Sequence, residues 1–295
     1  MLTKISLGNQ HYNINTDFAH SLAIAVCFNN AEQQPNHFGA TPATAIPMQA
    51  NGFIGDTEQG GSCNVNELTL NPHCNGTHTE TIAHICDTSN ALALKVSALE
   101  IPPLMPCALI SVTPIPAMGC HDEYSPGFNP DDFVINRQQL EQHLSSYSIE
   151  QLQSVAVRTL PNTPIKCQEN YSASNQPAFF SREAILYLNE LGVEHLILDI
   201  PSLDRLDDDG LLTCHHIFWQ VAEGAHQPSP NSLLNKTITE MAYIDNSIPD
   251  GFYFANIQTP AFVNDAAPSR PMLYQAEALP DKMPKPKRTA LRERY

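Results

Sequence analysis

Hydrophobic and polar side chains alternate through residues 2–15, on both sides of the pair Gly8-Asn9. A two-residue period is typical of a strand with one exposed face, and glycine next to asparagine favours a tight turn. The pattern therefore predicts a β-hairpin at the start of the chain. Residues 27–66 have few apolar runs and many Asn, Gln, Gly, Pro and Thr residues, which predicts long loops and short strands of the kind that often contact substrates.

The middle of the chain contains short apolar runs and one clear helical stripe. Residues 107–116 and 152–161 are rich in β-branched side chains and end at proline, as buried strands commonly do. A helix is predicted between Ser181, a favourable N-cap residue, and Gly192, because apolar residues between them follow the helical period. Residues 193–201 then predict another strand. Strand, helix and strand in this order predict a right-handed parallel crossover.

Strand-like runs at residues 237–244 and 251–260 complete the pattern, and no internal repeat is present. The chain is therefore predicted to have a mixed α/β fold in which β structure dominates. With 295 residues, 42% of them hydrophobic, it can bury one large core or two modest ones. We expect a single domain over residues 1–280, followed by a basic tail over residues 281–295.

The net charge of −16 limits the range of partners. Because so acidic a chain repels phosphate backbones, nucleic acid is not expected as a partner. The basic tail is predicted either to be solvated or to bind as a strap to the acidic face of a neighbouring subunit. It contains six of the fifteen basic residues, namely Lys282, Lys285, Lys287, Arg288, Arg292 and Arg294.

Membrane insertion and secretion are not expected. No apolar stretch approaches the roughly 20 residues that a membrane span requires, and the polar N-terminal segment lacks the apolar core of a secretion signal. The eight cysteines are scattered and include no Cys-x-x-Cys pair, which favours reduced thiols over a zinc ribbon or a thioredoxin-type site. We therefore expect a cytoplasmic protein.

The densest group of chemically reactive side chains lies within twelve residues of the sequence. It consists of His73, His78, Glu80 and His84, and these residue types bind borderline divalent metals. Any one of these histidines alone would favour an ordinary surface or core position. Ligand-type residues seldom cluster so densely without a metal or catalytic role, so the group predicts a metal site.

Which of these four side chains lie on the same side of the chain depends on the local conformation. If residues 78–84 are extended, His78, Glu80 and His84 share one face, because alternate side chains of a strand point the same way. His73 breaks this parity. The chain must therefore turn or bulge through Gly76 to bring the His73 imidazole to the same place.

A second cluster of acidic and histidine side chains lies between residues 198 and 219. Asp207 to Asp209, before a glycine, favour a solvated turn, because the ligand spacing of an EF-hand is absent. Of the adjacent pair His215-His216, at most one is expected to reach a site, since neighbouring residues face apart. Farther along, Glu240 lies inside an apolar run, where it is either a solvent-facing strand position or a buried ligand.

A short segment of the chain resembles the motif of the cyclase family through Gly76, Thr77, His78, Glu80 and His84. This family includes bacterial kynurenine formamidases and isatin hydrolases, and its motif is His-x-Gly-Thr-His-x-Asp-x-Pro-x-His. The family's later Asp-x-Pro-Ser segment, histidine pair and glutamate have counterparts at residues 199–202, at His215-His216 and at Glu240. The resemblance implies the family's swivelling β/β/α, barrel-like domain, commonly assembled as a homodimer or larger homo-oligomer.

The resemblance also implies the residues of the site. His73, His78 and Glu80 become metal ligands, and His84 becomes the proton-transfer group or a ligand of a second metal. His215 and Glu240 complete the metal site, and His84 and Glu240 are the expected catalytic residues. The implied cofactor is zinc or manganese, as one or two ions.

The reaction implied by the family is hydrolysis. A bound divalent ion activates water against an amide, lactam or ester carbonyl, as in arylformamidase-like chemistry. The expected partner is a small-molecule substrate with an aromatic or apolar acyl group. Residues 28–66, together with Phe218 and Trp219, are the candidate wall of its pocket.

Several departures from the family motif favour a divergent branch. One extra residue separates His73 from His78, and glutamate replaces aspartate at position 80. Ile82 stands where the motif has proline, and residues 222–235 are an apparent insertion. Two alternatives therefore stay open. The protein either binds metal and small molecules with altered catalysis, or it holds a structural zinc through cysteines near the histidines, namely Cys74, Cys86 or Cys214.

Overall fold

The computed structural model describes residues 1–87 and 91–280. Three α-helices lie in this part of the chain, α1 (Arg137–Leu144), α2 (Arg182–Glu190) and α3 (Thr213–Trp219). The described strands are β1 (Leu2–Leu7), β2 (Gln10–Asn15), β3 (His20–Ser21), β4 (Thr44–Pro47), β5 (Gln49–Ala50), β6 (Phe53–Ile54), β7 (Asn66–Thr69), β8 (His78–Glu80), β9 (Met105–Val112), β10 (Ile115–Pro116), β11 (Phe133–Ile135), β12 (Ser154–Thr159), β13 (Phe179–Phe180), β14 (His195–Leu198), β15 (Thr237–Glu240), β16 (Gly251–Asn256), β17 (Ala266–Pro268) and β18 (Met272–Ala278). The predicted mixed, β-dominant fold is confirmed.

A mixed sheet of 11 strands forms the centre of the molecule. Its order is β1-β2-β18-β16-β9-β12-β14-β15-β8-β17, with β3 paired to β18. The strands β9, β12, β14 and β15 are parallel, and β8 joins antiparallel to both β15 and β17. The predicted N-terminal hairpin is confirmed as β1 and β2, and the predicted parallel crossover is confirmed as β12, α2 and β14.

In the described part of the chain the main sheet is open, so the barrel-like domain that the resemblance implied is not a closed barrel. Its path begins at β1 and ends at β17, and these two strands do not pair with each other. At one end β1 hydrogen-bonds only with β2, and at the other β17 is three residues long. Such short and separated edges leave no continuous ladder that could close the sheet.

Helix α2 follows from its local sequence. The Ser181 hydroxyl accepts a hydrogen bond from the Ala184 N–H at 3.1 Å, which satisfies one of the free donors of the first turn. Ile185 and Leu188 are fully buried against the sheet. The helix is followed by Gly192 at φ +75°, a conformation that glycine adopts without steric cost. The predicted helix is therefore confirmed at both ends.

Apolar side chains cover both faces of the parallel strands. Ala108 and Ile110 of β9 pack on the side of the three helices, whereas Cys107 and Leu109 pack into a second cluster on the opposite face. Burial of each large apolar side chain contributes roughly 1.5–3 kcal/mol. The parallel strands are therefore held rigidly, and they provide a fixed base for the residues at their carboxyl ends.

The loop region, the C-terminal tail and the membrane spans were also subjects of prediction. Residues 27–66 form loops, short 3₁₀ turns and the short strands β4 to β6, as expected. The predicted tail at residues 281–295 lies outside the described residues. Among the helices that the structure describes, none is long and apolar enough to cross a membrane.

Candidate metal centre

Strand β8 places two ligand-type side chains on one face. His78 and Glu80 are separated by Thr79, whose hydroxyl points to the opposite side and hydrogen-bonds with the Thr239 hydroxyl at 2.7 Å. In the antiparallel pairing of β8 with β15, His78 lies directly opposite Glu240. The predicted shared face of His78 and Glu80 is thus confirmed, and strand register adds Glu240 to it.

His84 reaches the same site from a different conformation. The condition of an extended conformation over residues 78–84 holds only as far as Glu80, because a 3₁₀ helix (Ile82–His84) follows. The Thr81 hydroxyl caps this helix by accepting the Ala83 N–H at 3.2 Å. The resulting turn brings His84 Nδ1 within 3.8 Å of Glu80 Oε2.

His73 enters through the expected turn. The Asn71 carbonyl accepts the N–H groups of Cys74 and Asn75 at 3.2 and 3.1 Å, so the chain reverses between His73 and β8. Close packing leaves little room there, since a Cβ on Gly76 would lie 3.1 Å from Val26. The chain reversal brings His73 Nδ1 to 3.2 Å from Glu80 Oε2.

Helix α3 contributes one histidine of the adjacent pair. His215 Nδ1 lies 2.6 Å from Asp204 Oδ2, and His215 Nε2 lies 3.1 Å from Glu80 Oε1. Asp204 also accepts the backbone N–H groups of Cys214 and His215, which fixes the first turn of the helix. His216 is also buried, but it belongs to none of the candidate ligand sets found among the described residues.

Glu240 is buried, which decides between the two alternatives left open by the sequence. Its Oε1 accepts the Leu203 N–H at 3.0 Å, and its Oε2 lies 3.4 Å from His78 Nε2. Leu203 follows β14, and Glu240 ends the neighbouring parallel strand β15. The site therefore lies at the carboxyl ends of these strands, where α/β sheets commonly bind ligands.

The site strongly favours positive charge. Burial and the charge of Glu80 raise the pKa of Glu240, but His215 and His78 outweigh them, so the pKa falls below its usual value. Burial also raises the pKa of Glu80, yet the neighbouring histidines hold it well below normal. Burial lowers the pKa of His73, but the Asp265 hydrogen bond and the Glu80 charge raise it to about 10. The carboxylates are ionised and need cationic partners.

The residues present fit a divalent metal. Three sets of side chains each have ligand atoms within 4.8 Å of one another. In addition, His78 Nε2 and Glu80 Oε2 are buried without a hydrogen-bond partner, which is costly unless a cation is bound. The three sets are His73, His78 and Glu80; His73, His84 and Asp265; and Glu80, His84 and His215.

Cysteines do not take part in these sets. The Cys214 thiol donates to the Phe180 carbonyl at 3.2 Å, and burial raises its pKa well above normal. A zinc-ligating cysteine must be deprotonated. Within the described residues, the structural-zinc alternative therefore has no geometric support.

Three residues near the site were not identified from the sequence. Asp204 was seen only as part of an acidic cluster, and Asp265 lies 181 positions beyond His84 with no motif around it. His37 is buried, and its Nδ1 has no hydrogen-bond partner. Burial lowers the pKa of His37 to about 4, and the charges of Glu240 and nearby histidines also act on it. Only contacts distant in sequence could reveal these residues.

The predicted substrate wall is partly wrong. Phe218 and Trp219 are fully buried in the core and cannot line an open pocket. The Trp219 ring lies 5.7 Å from the His215 ring and packs against it. Residues 28–66 contribute the exposed Phe38, whose ring lies 4.1 Å from His37. Phe38 lines a cavity of about 470 Å³ together with Gly39, Asn170, Tyr171, Ser172, Ala173, Leu206 and Asp207.

Comparison with known proteins agrees with this geometry. A family model described as putative cyclase matches residues 16–205. A search of the curated proteins finds no match for the chain. Among solved structures, the chain resembles a predicted metal-dependent hydrolase from Bacillus stearothermophilus with 14% identity and a TM-score of 0.54, over 87% of this chain and 98% of that one.

Two isatin hydrolases show the same fold. Isatin hydrolase A from Labrenzia aggregata, bound to benzyl benzoate, matches 88% of this chain and 94% of its own, with 13% identity and a TM-score of 0.57. Isatin hydrolase A from Ralstonia solanacearum matches 87% and 91%, with 12% identity and a TM-score of 0.57. At such low identity these structures demonstrate a shared fold. His215, Glu240 and Asp265 lie beyond the residues matched by the family model.

Proposed function

The chain belongs to the cyclase family, as the match over residues 16–205 shows, and from this premise we propose that it is a metal-dependent hydrolase. The reaction we propose is attack of water on an amide, lactam or ester carbonyl, with chemistry like that of arylformamidases. Similarity of fold to a predicted metal-dependent hydrolase and to isatin hydrolases supports this assignment.

The observation on which the proposal rests is the orientation of three imidazoles. His78 Nδ1 bonds to the Gly76 carbonyl at 3.0 Å, and His215 Nδ1 bonds to Asp204. His73 Nε2 bonds to Asp265 at 2.8 Å. In each ring the other nitrogen faces Glu80 or Glu240. Metal-binding histidines typically have one nitrogen fixed in this way while the other is free to bind the ion.

We assign the following roles to the residues. His73, His78 and Glu80 hold the ion, which is zinc or manganese, and His215 and Glu240 complete its surroundings or hold a second ion. A bound ion would lower the pKa of water and would polarise the substrate carbonyl. His84 Nδ1, between Glu80 and Asp265, moves a proton from the attacking water to the leaving nitrogen or oxygen.

We propose a small molecule with an aromatic or apolar acyl group as the substrate. The cavity beside Phe38 offers an apolar surface for such a group, next to His37 and on a different segment from the metal ligands. Cytoplasmic location and assembly as a homodimer or larger homo-oligomer remain predictions. Light scattering of the purified protein would test the assembly.

The decisive experiment combines metal analysis with a substrate panel. The protein is loaded with zinc or manganese, its metal content is measured, and hydrolysis is tested on aryl formamides, lactams and aryl esters. We expect turnover of at least one class, lost on chelation and restored by the same metal. Tight metal binding without turnover of any class would contradict the hydrolase proposal and favour the alternative of a small-molecule binding protein.

A further inference from the structure

We propose that Asp265 is a positioning residue, which holds the His73 imidazole in the orientation and tautomer required for metal binding and also orients His84. This inference rests on the proposed function of the site. Asp265 lies outside residues 16–205, and no part of the cyclase motif in this chain includes it.

One carboxylate oxygen of Asp265 faces two imidazoles. Its Oδ2 lies 2.8 Å from His73 Nε2 and 3.6 Å from His84 Nδ1. The two rings are adjacent and tilted, with centroids 4.5 Å apart and an angle of 31° between their planes. Because Asp265 accepts the Nε2–H of His73, Nδ1, which faces Glu80, is the nitrogen left for metal binding.

The backbone around Asp265 is fixed to the metal-site strand. Ala266 begins β17 and pairs with Glu80 of β8. The Asp265 carbonyl accepts the Thr81 N–H at 3.0 Å, and the carbonyl of Asn264 accepts the Val96 N–H at 2.8 Å. A carboxylate mounted on so constrained a backbone can define the direction of a neighbouring ring.

His73 needs such a partner more than His78 and His215 do. Its side chain is 23% exposed, whereas those of His78 and His215 are 0% and 1% exposed. Close packing therefore restricts the rings of His78 and His215, but it leaves His73 room to rotate towards solvent. One extra residue also lies between His73 and His78 compared with the family motif, which lengthens the connection from His73 to β8. The Asp265 hydrogen bond offsets both effects.

The same molecule contains a second example of the arrangement. Asp204 holds His215 through Nδ1 at 2.6 Å and leaves Nε2 facing Glu80. Asp265 holds His73 through the opposite nitrogen and leaves Nδ1 facing Glu80. Carboxylates that orient metal-binding histidines typically contribute 10- to 100-fold to metal affinity.

The test uses the full chain and zinc as the probe. Zinc affinity and stoichiometry are measured by calorimetric titration for the parent, for Asp265→Asn and for Asp265→Ala. Asp250→Asn is the matched control, because it removes a half-exposed carboxylate that pairs with Arg158 instead. We expect affinity to fall by about 10- to 100-fold in Asp265→Ala and by less in Asp265→Asn, which keeps an acceptor oxygen, at unchanged stoichiometry. The control should bind zinc like the parent.

A second measurement separates positioning from a general structural effect. Long-range ¹⁵N–¹H spectra of the zinc-loaded parent should show the proton of His73 on Nε2, and Asp265→Ala should lose this signature while its thermal unfolding stays close to that of the parent. Parent-like affinity in Asp265→Ala, or an Nδ1 proton on His73 in the parent, would overturn the proposal. Loss of one equivalent of zinc would instead make Asp265 a ligand of a second ion.

Failure of the proposed activity gives a different result. A parent that binds zinc and shows the expected effects of Asp265, but hydrolyses no member of the substrate panel, contradicts only the hydrolase proposal. A parent that binds no zinc contradicts the metal site and the role of Asp265 together.

Discussion

At the scale of single residues, Glu80 is the centre of the site. Its Oε1 bonds to His215 and its Oε2 faces both His73 and His84, so one side chain links residues from three separate segments. The family motif has aspartate here. The longer side chain of glutamate and the extra residue after His73 are therefore two changes that can compensate each other, since each moves a ligand relative to the ion.

This compensation predicts the effect of Glu80→Asp. The shortened carboxylate no longer reaches an ion positioned for glutamate, so metal affinity should fall by about 10- to 100-fold. Glu80→Gln, which keeps the length and removes the charge, should also bind more weakly. Calorimetric titration with zinc checks both variants, and parent-like affinity in both would show that Glu80 is not a ligand.

His84 provides a prediction about rate instead of affinity. Because His84 lies at the margin of the site and is partly exposed, His84→Ala should keep at least one equivalent of metal and lose about 10²-fold or more in turnover, as expected when a general acid or base is removed. Metal analysis and steady-state kinetics on the same preparation test this. Loss of all metal would place His84 among the essential ligands.

At the scale of elements, the parallel pair β14 and β15 carries a buried histidine that is separate from the metal site. His195 in β14 hydrogen-bonds through Nδ1 with the Thr237 hydroxyl of β15 at 2.9 Å. Burial lowers the pKa of His195 from 6.5 to about 4, because the folded sheet leaves no water to solvate a charged ring. Folding therefore favours the neutral form of this side chain.

The lowered pKa of His195 makes folding stability depend on pH. Between pH 6.5 and about 4 the unfolded chain binds a proton on His195 that the folded chain does not, so folding stability falls as the pH is lowered. The loss amounts to about 3 kcal/mol over this window. Urea unfolding of metal-free protein at pH 7 and pH 4.5 should show a weaker pH dependence in His195→Gln than in the parent.

The control for this experiment is His121→Gln, which replaces an exposed histidine. It should keep the pH dependence of the parent. If His195→Gln loses as much stability on acidification as the parent does, His195 is not responsible, and other buried groups account for the acid sensitivity.

At the scale of the whole molecule, we expect folding to depend mainly on the two apolar clusters on either face of the sheet. The site lies at the ends of strands that are already held by this packing. Metal removal should therefore leave the fold intact, and a bound metal should add stability only by mass action, about 2.7 kcal/mol at a free metal concentration 100 times the dissociation constant.

Chelation tests this expectation. Far-ultraviolet circular dichroism of metal-free protein should match that of the loaded protein, and the melting temperature should fall while the transition remains cooperative. Hydrolysis should be lost over the same titration. Unfolding on chelation would mean that the metal is structural.

Local patterns in the sequence were sufficient for several elements and for the core of the candidate metal site. The hairpin at Gly8-Asn9, the helix after Ser181 and the shared face of His78 and Glu80 each depend on residues a few positions apart. Such features follow from the periods of strands and helices and from local capping, which neighbouring residues determine by themselves. The motif likewise required only a short segment.

Tertiary structure decided the features that join distant segments. Strand register placed Glu240 opposite His78 and brought Asp265 beside His73, while helix packing buried Trp219 behind His215. The open edges of the sheet also depend on which strands pair. The physical reason is that hydrophobic periodicity specifies the buried face of each element, whereas pairing and packing across the whole chain determine which buried faces meet.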